Sequence, residues 1–200
     1  MSLNANGRIA VLTSGKAGIT HVSGQTDLAG TAVAGARQAV AWGAAGGSGV
    51  STNTGALAIP CAAGETVVGI GFHDALAAGL FLGFQPYGSA GQVLDGVATV
   101  TTGDVFTSNA HGLATDDRVY FVPVADESLP AGLSATTLYY IRATGLTADT
   151  FTVATTSGGA AVDVTAAGEV AWFKTVPNTF ASAGNLNVAI GQASLSMTWL

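Results

Sequence analysis

Gly64-Glu65-Thr66-Val67-Val68-Gly69-Ile70-Gly71-Phe72-His73-Asp74-Ala75 is the stretch that decides the fold class. Its run of Thr, Val, Ile and Phe is β-branched and aromatic, Gly69 and Gly71 interrupt it as a helix, and Gly64 and Asp74 punctuate its ends. Residues 66–72 therefore read as a strand. The pattern recurs along the chain at 9–13, 19–22, 39–42, 57–59, 80–84, 97–101, 104–107, 118–123, 138–143, 150–154, 170–174, 186–190 and 195–199. Many short strands with almost no helix signal predict an all-β chain of sandwich or barrel type rather than alternating βαβ units.

The composition sets the surroundings such a chain needs. Only 9% of the 200 residues are charged, 48% are apolar and 28 are glycine, against about a quarter charged in ordinary domains. A chain so short of solvated surface is expected to be covered by neighbouring subunits, as in a homo-oligomer or a larger assembly. Mean hydropathy is +0.47, yet a membrane-spanning helix needs about 20 consecutive apolar residues. The strongest candidate, 75–84, is too short and contains Gly79 and Gly83, so no membrane span is expected.

Charge excludes a second class. Net charge is −6, and the basic residues Arg8, Lys16, Arg37, Arg118, Arg142 and Lys174 are scattered. Nucleic-acid binding requires a basic stripe against phosphates, so no nucleic-acid partner is expected. Residues 1–8 lack the basic and apolar regions of a secretory signal, which implies folding in a cytoplasm. Cys61, the sole cysteine, permits neither an intrachain disulfide nor a multi-thiolate zinc site, and reads as a small buried hydrophobe.

The chain changes character near residues 91 and 175. Asp104, Asp116, Asp117, Asp126, Glu127, Asp149, Asp163 and Glu169 concentrate in the middle, which carries its own strand-and-turn series. The last strands, 186–190 and 195–199, have no local partner and bury their apolar side only by pairing with strands from the first 90 residues. The expected organisation is a discontinuous β-sandwich, residues 1–90 with 176–200, carrying an inserted acidic β-barrel or sandwich module at 91–175.

Ala36-Arg37-Gln38-Ala39-Val40-Ala41-Trp42, followed by the Gly/Ser-rich 43–49, the 64–75 stretch and Gly79-Leu80-Phe81-Leu82-Gly83, resembles a β-sandwich family of tailed-bacteriophage virion proteins from phages of actinobacteria. Thr179-Phe180-Ala181-Ser182-Ala183-Gly184-Asn185-Leu186-Asn187-Val188 is similar to that family's closing segment, displaced by the insert. Asn109-Ala110-His111-Gly112-Leu113, Asp117-Arg118-Val119, Leu129-Pro130-Ala131-Gly132-Leu133, Tyr139-Tyr140-Ile141 and Asp149-Thr150-Phe151-Thr152-Val153 resemble a module that decorates phage tail fibres, tail tips and capsid surfaces. The resemblance implies a structural part of the virion exterior, with other virion proteins as partners. It leaves open a capsid-surface decoration or minor capsid protein against a minor tail or tail-fibre-associated protein.

No catalytic or cofactor constellation is legible, and the chain reads as non-enzymatic with no cofactor. His21, His73 and His111 have no metal-ligand spacing. His111 reads as a turn imidazole bonded to nearby backbone, and His73-Asp74 as a turn pair closing a strand. Ser14-Gly15-Lys16-Ala17 lacks the residues of a phosphate loop. Asp116, Asp117, Asp126 and Glu127 are hard ligands that would suit calcium if their loops met, but adjacent loop acids ordinarily solvate a surface. Trp42, Phe72, Phe81, Phe84, Trp172 and Trp199 read as core. Tyr120, Tyr139 and Tyr140 lie in the solvated insert. Neighbouring Tyr139 and Tyr140 must face opposite sides of a strand, which makes an exposed tyrosine a candidate contact for host-surface glycan.

Overall fold

A computed structural model of the chain describes residues 15, 17–44, 50–86, 95–124 and 127–196. The run expected at 9–13, and Trp199, lie outside the described residues. The first strands are β1 (His21–Gln25), β2 (Gln38–Ala39), β3 (Val50–Thr52), β4 (Leu57–Cys61), β5 (Thr66–Val67), β6 (Gly69–His73) and β7 (Phe81–Pro86). The middle holds β8 (Gly96–Val100), β9 (Phe106–Thr107), β10 (Arg118–Pro123), β11 (Tyr139–Ile141), β12 (Thr150–Phe151), β13 (Val153–Ala154) and β14 (Gly168–Thr175). The chain closes with β15 (Asn178–Thr179), β16 (Gly184–Val188) and β17 (Ser194–Ser196). Among the described residues only Gly15, Ala17 and Gly18 hold helical backbone, so the protein is all-β. It divides into two compact units: unit 1 is residues 1–93 with 177–200, and unit 2 is residues 94–176.

Unit 1 contains an antiparallel sheet of order β2-β1-β6-β7 and three two-stranded ladders, β15-β5, β16-β4 and β17-β3. The stretch expected as one strand at 66–72 is two. Thr66 and Val67 pair with Thr179 and Asn178, while Gly69–His73 enter the four-stranded sheet between β1 and β7. Val68 is the crossover, its N–H donating to Gln25 O at 2.8 Å. The switch requires close backbone approach, which explains the glycines. A Cβ at Gly69 would overlap the Phe84 ring and the Gln85 carbonyl, and one at Gly71 would overlap the Gln25 amide.

The C-terminal strands run back antiparallel along the early ones, β15 on β5, β16 on β4 and β17 on β3. In the longest ladder Leu186 lies opposite Ile59 and Val188 opposite Leu57. Their period-2 alternation sends these side chains into a core with Val22, Val67, Ile70 and Phe72. Two buried amides hold the returning chain. Asn53 Nδ2 donates to Gly55 O and Ala189 O at 2.8 and 3.0 Å, and Asn53 Oδ1 accepts from Ala193 N at 2.9 Å. Gln85 Nε2 donates to Gln192 O at 2.7 Å, and its Oε1 accepts from Ser194 N at 2.8 Å.

Unit 2 is a seven-stranded sheet of order β12-β9-β8-β14-β10-β11-β13. Its two end strands are consecutive in sequence, separated only by Thr152, so the segment Thr150 to Ala154 nearly closes the sheet into a barrel. Closure leaves no long edge to pair with another chain. The interior is aromatic. Phe106 stacks between Phe121 and Phe151 at centroid distances of 4.9 and 5.1 Å, and Trp172 meets Phe151 edge-on at 6.2 Å. Trp172 Nε1 donates to Ser108 Oγ at 3.2 Å, satisfying the one polar atom of its ring.

Two substitutions separate these cores. Phe106→Ala should cost about 3–5 kcal/mol by opening a cavity in the stack. Asn53→Ala should cost about 1–3 kcal/mol by removing three hydrogen bonds and stranding the N–H of buried Ala193. Native-state hydrogen exchange reads the effects apart, with protection lost in β10 and β14 for the first and in β4 and β16 for the second.

Candidate functional site

The tyrosines proposed as surface contacts part company in the barrel wall. Tyr139 points inward and is 2% exposed, tilted on Phe121 at 5.4 Å, with its hydroxyl accepting from Ser134 N at 2.8 Å. Tyr120 faces away from the interior, yet it is 7% exposed and stacked on Phe173 at 4.9 Å. Burial, with Asp95 adding like charge, pushes its phenol pKa up. Tyr120 and Tyr139 are therefore corrected to packing residues. Strand alternation told which side each occupies but not that the outer side at Tyr120 is covered. Tyr140 stays half-buried, opposite Arg118 in register, with the guanidinium carbon 5.0 Å from its ring centroid.

One residue past β11, Arg142 stands on the wall of an open depression of about 300 Å³, with Thr115, Asp116, Thr144, Ser157 and Gly159 among its lining. Arg142 lies two residues from Tyr140, on the same side of an extended chain. Its guanidinium is held from behind: Nε donates to Gly159 O at 3.0 Å and Nη1 to Thr152 Oγ1 at 3.4 Å. Thr152 Oγ1 in turn donates to Thr144 O at 2.6 Å. Asp116, also lining the depression and at φ 65°, accepts from Ser157 Oγ at 2.7 Å. Positive φ is unusual for a residue with a Cβ, and Asp116 N–H is bonded to Ile141 O at 2.9 Å. Arg142 makes no ion pair among the described residues.

Among the described residues, the acids considered for calcium form no three-ligand group. Asp117 Oδ2 takes Lys174 Nζ at 2.6 Å and Ala114 N at 2.7 Å, which engages it within its own turn. Asp126 lies outside the described residues. No group of three His, Cys, Asp or Glu side chains is arranged for a metal among the described residues. His111 sits as a turn imidazole, with Nδ1 accepting from Leu113 N at 3.0 Å and Nε2 placed 3.3 Å from Thr150 O.

Unit 1 buries a polar trio that sequence reasoning missed. Ser23 Oγ lies 2.7 Å from His73 Nε2 and accepts from Gln25 Nε2 at 2.6 Å, with all three residues at most 1% exposed. A hydroxyl bonded to an imidazole is the start of a nucleophile and base pair, but that chemistry needs an orienting third group and a path for substrate. Asp74 turns away to accept from Leu80 N at 2.7 Å, and the pair is sealed. It holds β1 against β6. Asp74 caps the turn expected of the His73-Asp74 pair, while the His73 imidazole goes into the interior instead. Cys61, 3% exposed, is core, and burial raises its thiol pKa.

The exposed surface of unit 1 is apolar where β6 connects to β7. Leu76, Leu80 and Leu82 are 57%, 67% and 46% exposed. The connection is held in shape beneath them by Arg37, whose Nη1 donates to Ala75 O and Gly79 O at 2.8 and 3.3 Å. The 75–84 run, too short to span a membrane, is thus displayed rather than buried, and no helix among the described residues is long and apolar enough to cross one.

These features define an all-β chain of two units, one with a pinned apolar display and one a nearly closed barrel with a depression that Arg142 and Asp116 line. No known protein family, curated protein or solved structure matches it.

Burial, with Arg37 adding like charge, lowers the His73 pKa from the ordinary imidazole value, and its Nδ1 makes no protein hydrogen bond of good geometry. A depressed folded-state pKa contributes stability that is present above the unfolded value of about 6.5 and is lost as pH falls below it. Unit 1 should lose urea resistance between pH 7 and 5, and His73→Gln should flatten that slope.

Proposed function

We propose that the chain is a structural component of a tailed-phage virion, a capsid-surface decoration or minor capsid protein that docks through unit 1 and presents unit 2 to solution. The observation that carries the docking is the pinned leucine display at 76, 80 and 82. Three large apolar side chains, Leu76 and Leu80 on the preorganised connection and Leu82 at the start of β7, are costly to leave in water and suit a partner surface, because little ordering entropy is lost on binding. The low charge of the whole chain points the same way. The virion context is supported by the ordered motifs at 36–49, 64–83 and 179–188 and by those of the insert. The depression lined by Arg142, Asp116 and Ser157 favours one second reading, a minor tail or tail-fibre-associated subunit whose barrel contacts a host-surface glycan.

Immunogold labelling of purified particles should place the chain on the head. Label confined to the tail selects the second reading, and unlabelled particles remove the virion role. In solution, light scattering of the purified protein at high concentration should show oligomers, and the triple variant Leu76→Ser, Leu80→Ser, Leu82→Ser should shift them to monomer. A wild-type protein that stays monomeric overturns self-association through this surface.

A further inference from the structure

We infer that the depression at the end of β11 is a binding site for an acidic sugar residue, a saccharide ring bearing a carboxylate, with Arg142 as the carboxylate receptor. The biological occupant rests on the reading of unit 2 as the presented module; the binding chemistry does not.

Arg142 is a guanidinium without an ion-pair partner among the described residues, in a protein whose net charge is −6. Elsewhere in the barrel Lys174 is matched to Asp117 and Arg118 lies over Tyr140. The contacts of Arg142 to Gly159 O and Thr152 Oγ1 use Nε and Nη1, and its Nη2 has no hydrogen-bond partner among the described residues. A guanidinium fixed in this way holds Nη2 in place as a charged N–H donor, and a charged donor bonds a carboxylate oxygen more strongly than a neutral hydroxyl.

The remaining walls suit ring hydroxyls. Asp116 supplies an acceptor, Thr115, Thr144 and Ser157 supply hydroxyls, and Gly158 and Gly159 bring backbone to the surface. About 300 Å³ is the lower end of the usual range for small-molecule sites, room for a sugar ring or two, and the open shape admits a ring within a longer chain. A peptide carboxylate fits less well. Peptides bind as added strands or by apolar anchors, whereas the barrel is nearly closed and the apolar lining is limited to Ile141 and Ala143.

The test titrates the full-length protein, by amide NMR, with methyl β-D-glucuronide, methyl β-D-glucoside and acetate. The glucuronide should shift the Ser157, Gly158 and Gly159 amides saturably, at least about tenfold more tightly than the glucoside, the value of one well-made charged hydrogen-bond pair. Arg142→Gln should abolish that preference. Should its spectrum show a disturbed barrel, Arg142→Lys, which keeps the charge but loses the planar group fixed by Gly159 O and Thr152 Oγ1, should bind at least about fivefold more weakly than wild type. Asp116→Asn tolerates the left-handed backbone and removes a like charge, so it should tighten the glucuronide about twofold and leave the glucoside unchanged. Equal binding of the two sugars, acetate matching the glucuronide, shifts that survive Arg142→Gln, or no shift at all would each overturn the site. None of these results bears on particle labelling, which tests the virion role independently.

Discussion

The return of the chain end to the first 90 residues is the constraint on which the rest of the structure depends. Two buried amides enforce it. Asn53 grips the backbone at Ala189 and Ala193, and Gln85 grips it at Gln192 and Ser194. A buried amide is tolerated only when its donors and acceptors are met, so both side chains demand this one placement of the C-terminal segment. Once it is in place, Leu186 and Val188 complete a core that the early strands cannot close alone. Everything between residues 93 and 177 must then leave and rejoin unit 1 without disturbing it.

A nearly closed barrel meets that requirement. Unit 2 satisfies its own strands through the segment from Thr150 to Ala154, which serves both ends of the sheet, and it carries a separate core of stacked rings. Because the interior consumes Phe106, Phe121, Phe151, Tyr139 and Trp172, the wall's chemistry passes to outward residues at strand ends. Arg142 and its supports Thr152 and Gly159 are there because β11, β13 and the turn after β13 converge.

The two units treat polarity in opposite ways. Unit 1 seals Ser23, Gln25 and His73 between β1 and β6 while exposing leucines on an adjacent connection, and Arg37 is spent on backbone carbonyls that hold that connection in shape. Unit 2 keeps its charged groups outside the barrel and packs Phe106, Phe121, Phe151 and Trp172 within it. An assembly surface and a solvated module are what this division supports.

Much of this was legible in residue order. Strand punctuation established an all-β chain, and the run of acids with the partnerless final strands separated the middle from the ends. Local chemistry determines such features, since turn residues and period-2 alternation act over a few positions. Tertiary structure decided the rest. That 66–72 divides at Val68 between two ladders, that Tyr120 is buried while Tyr140 is only half-buried, and that Arg142, Asp116 and Ser157 share one depression all depend on groups distant in sequence. Sequence alternation assigns a side of a strand; only the packed neighbours decide whether that side faces water, and only the folded turns bring donors from three segments to one ligand-sized space.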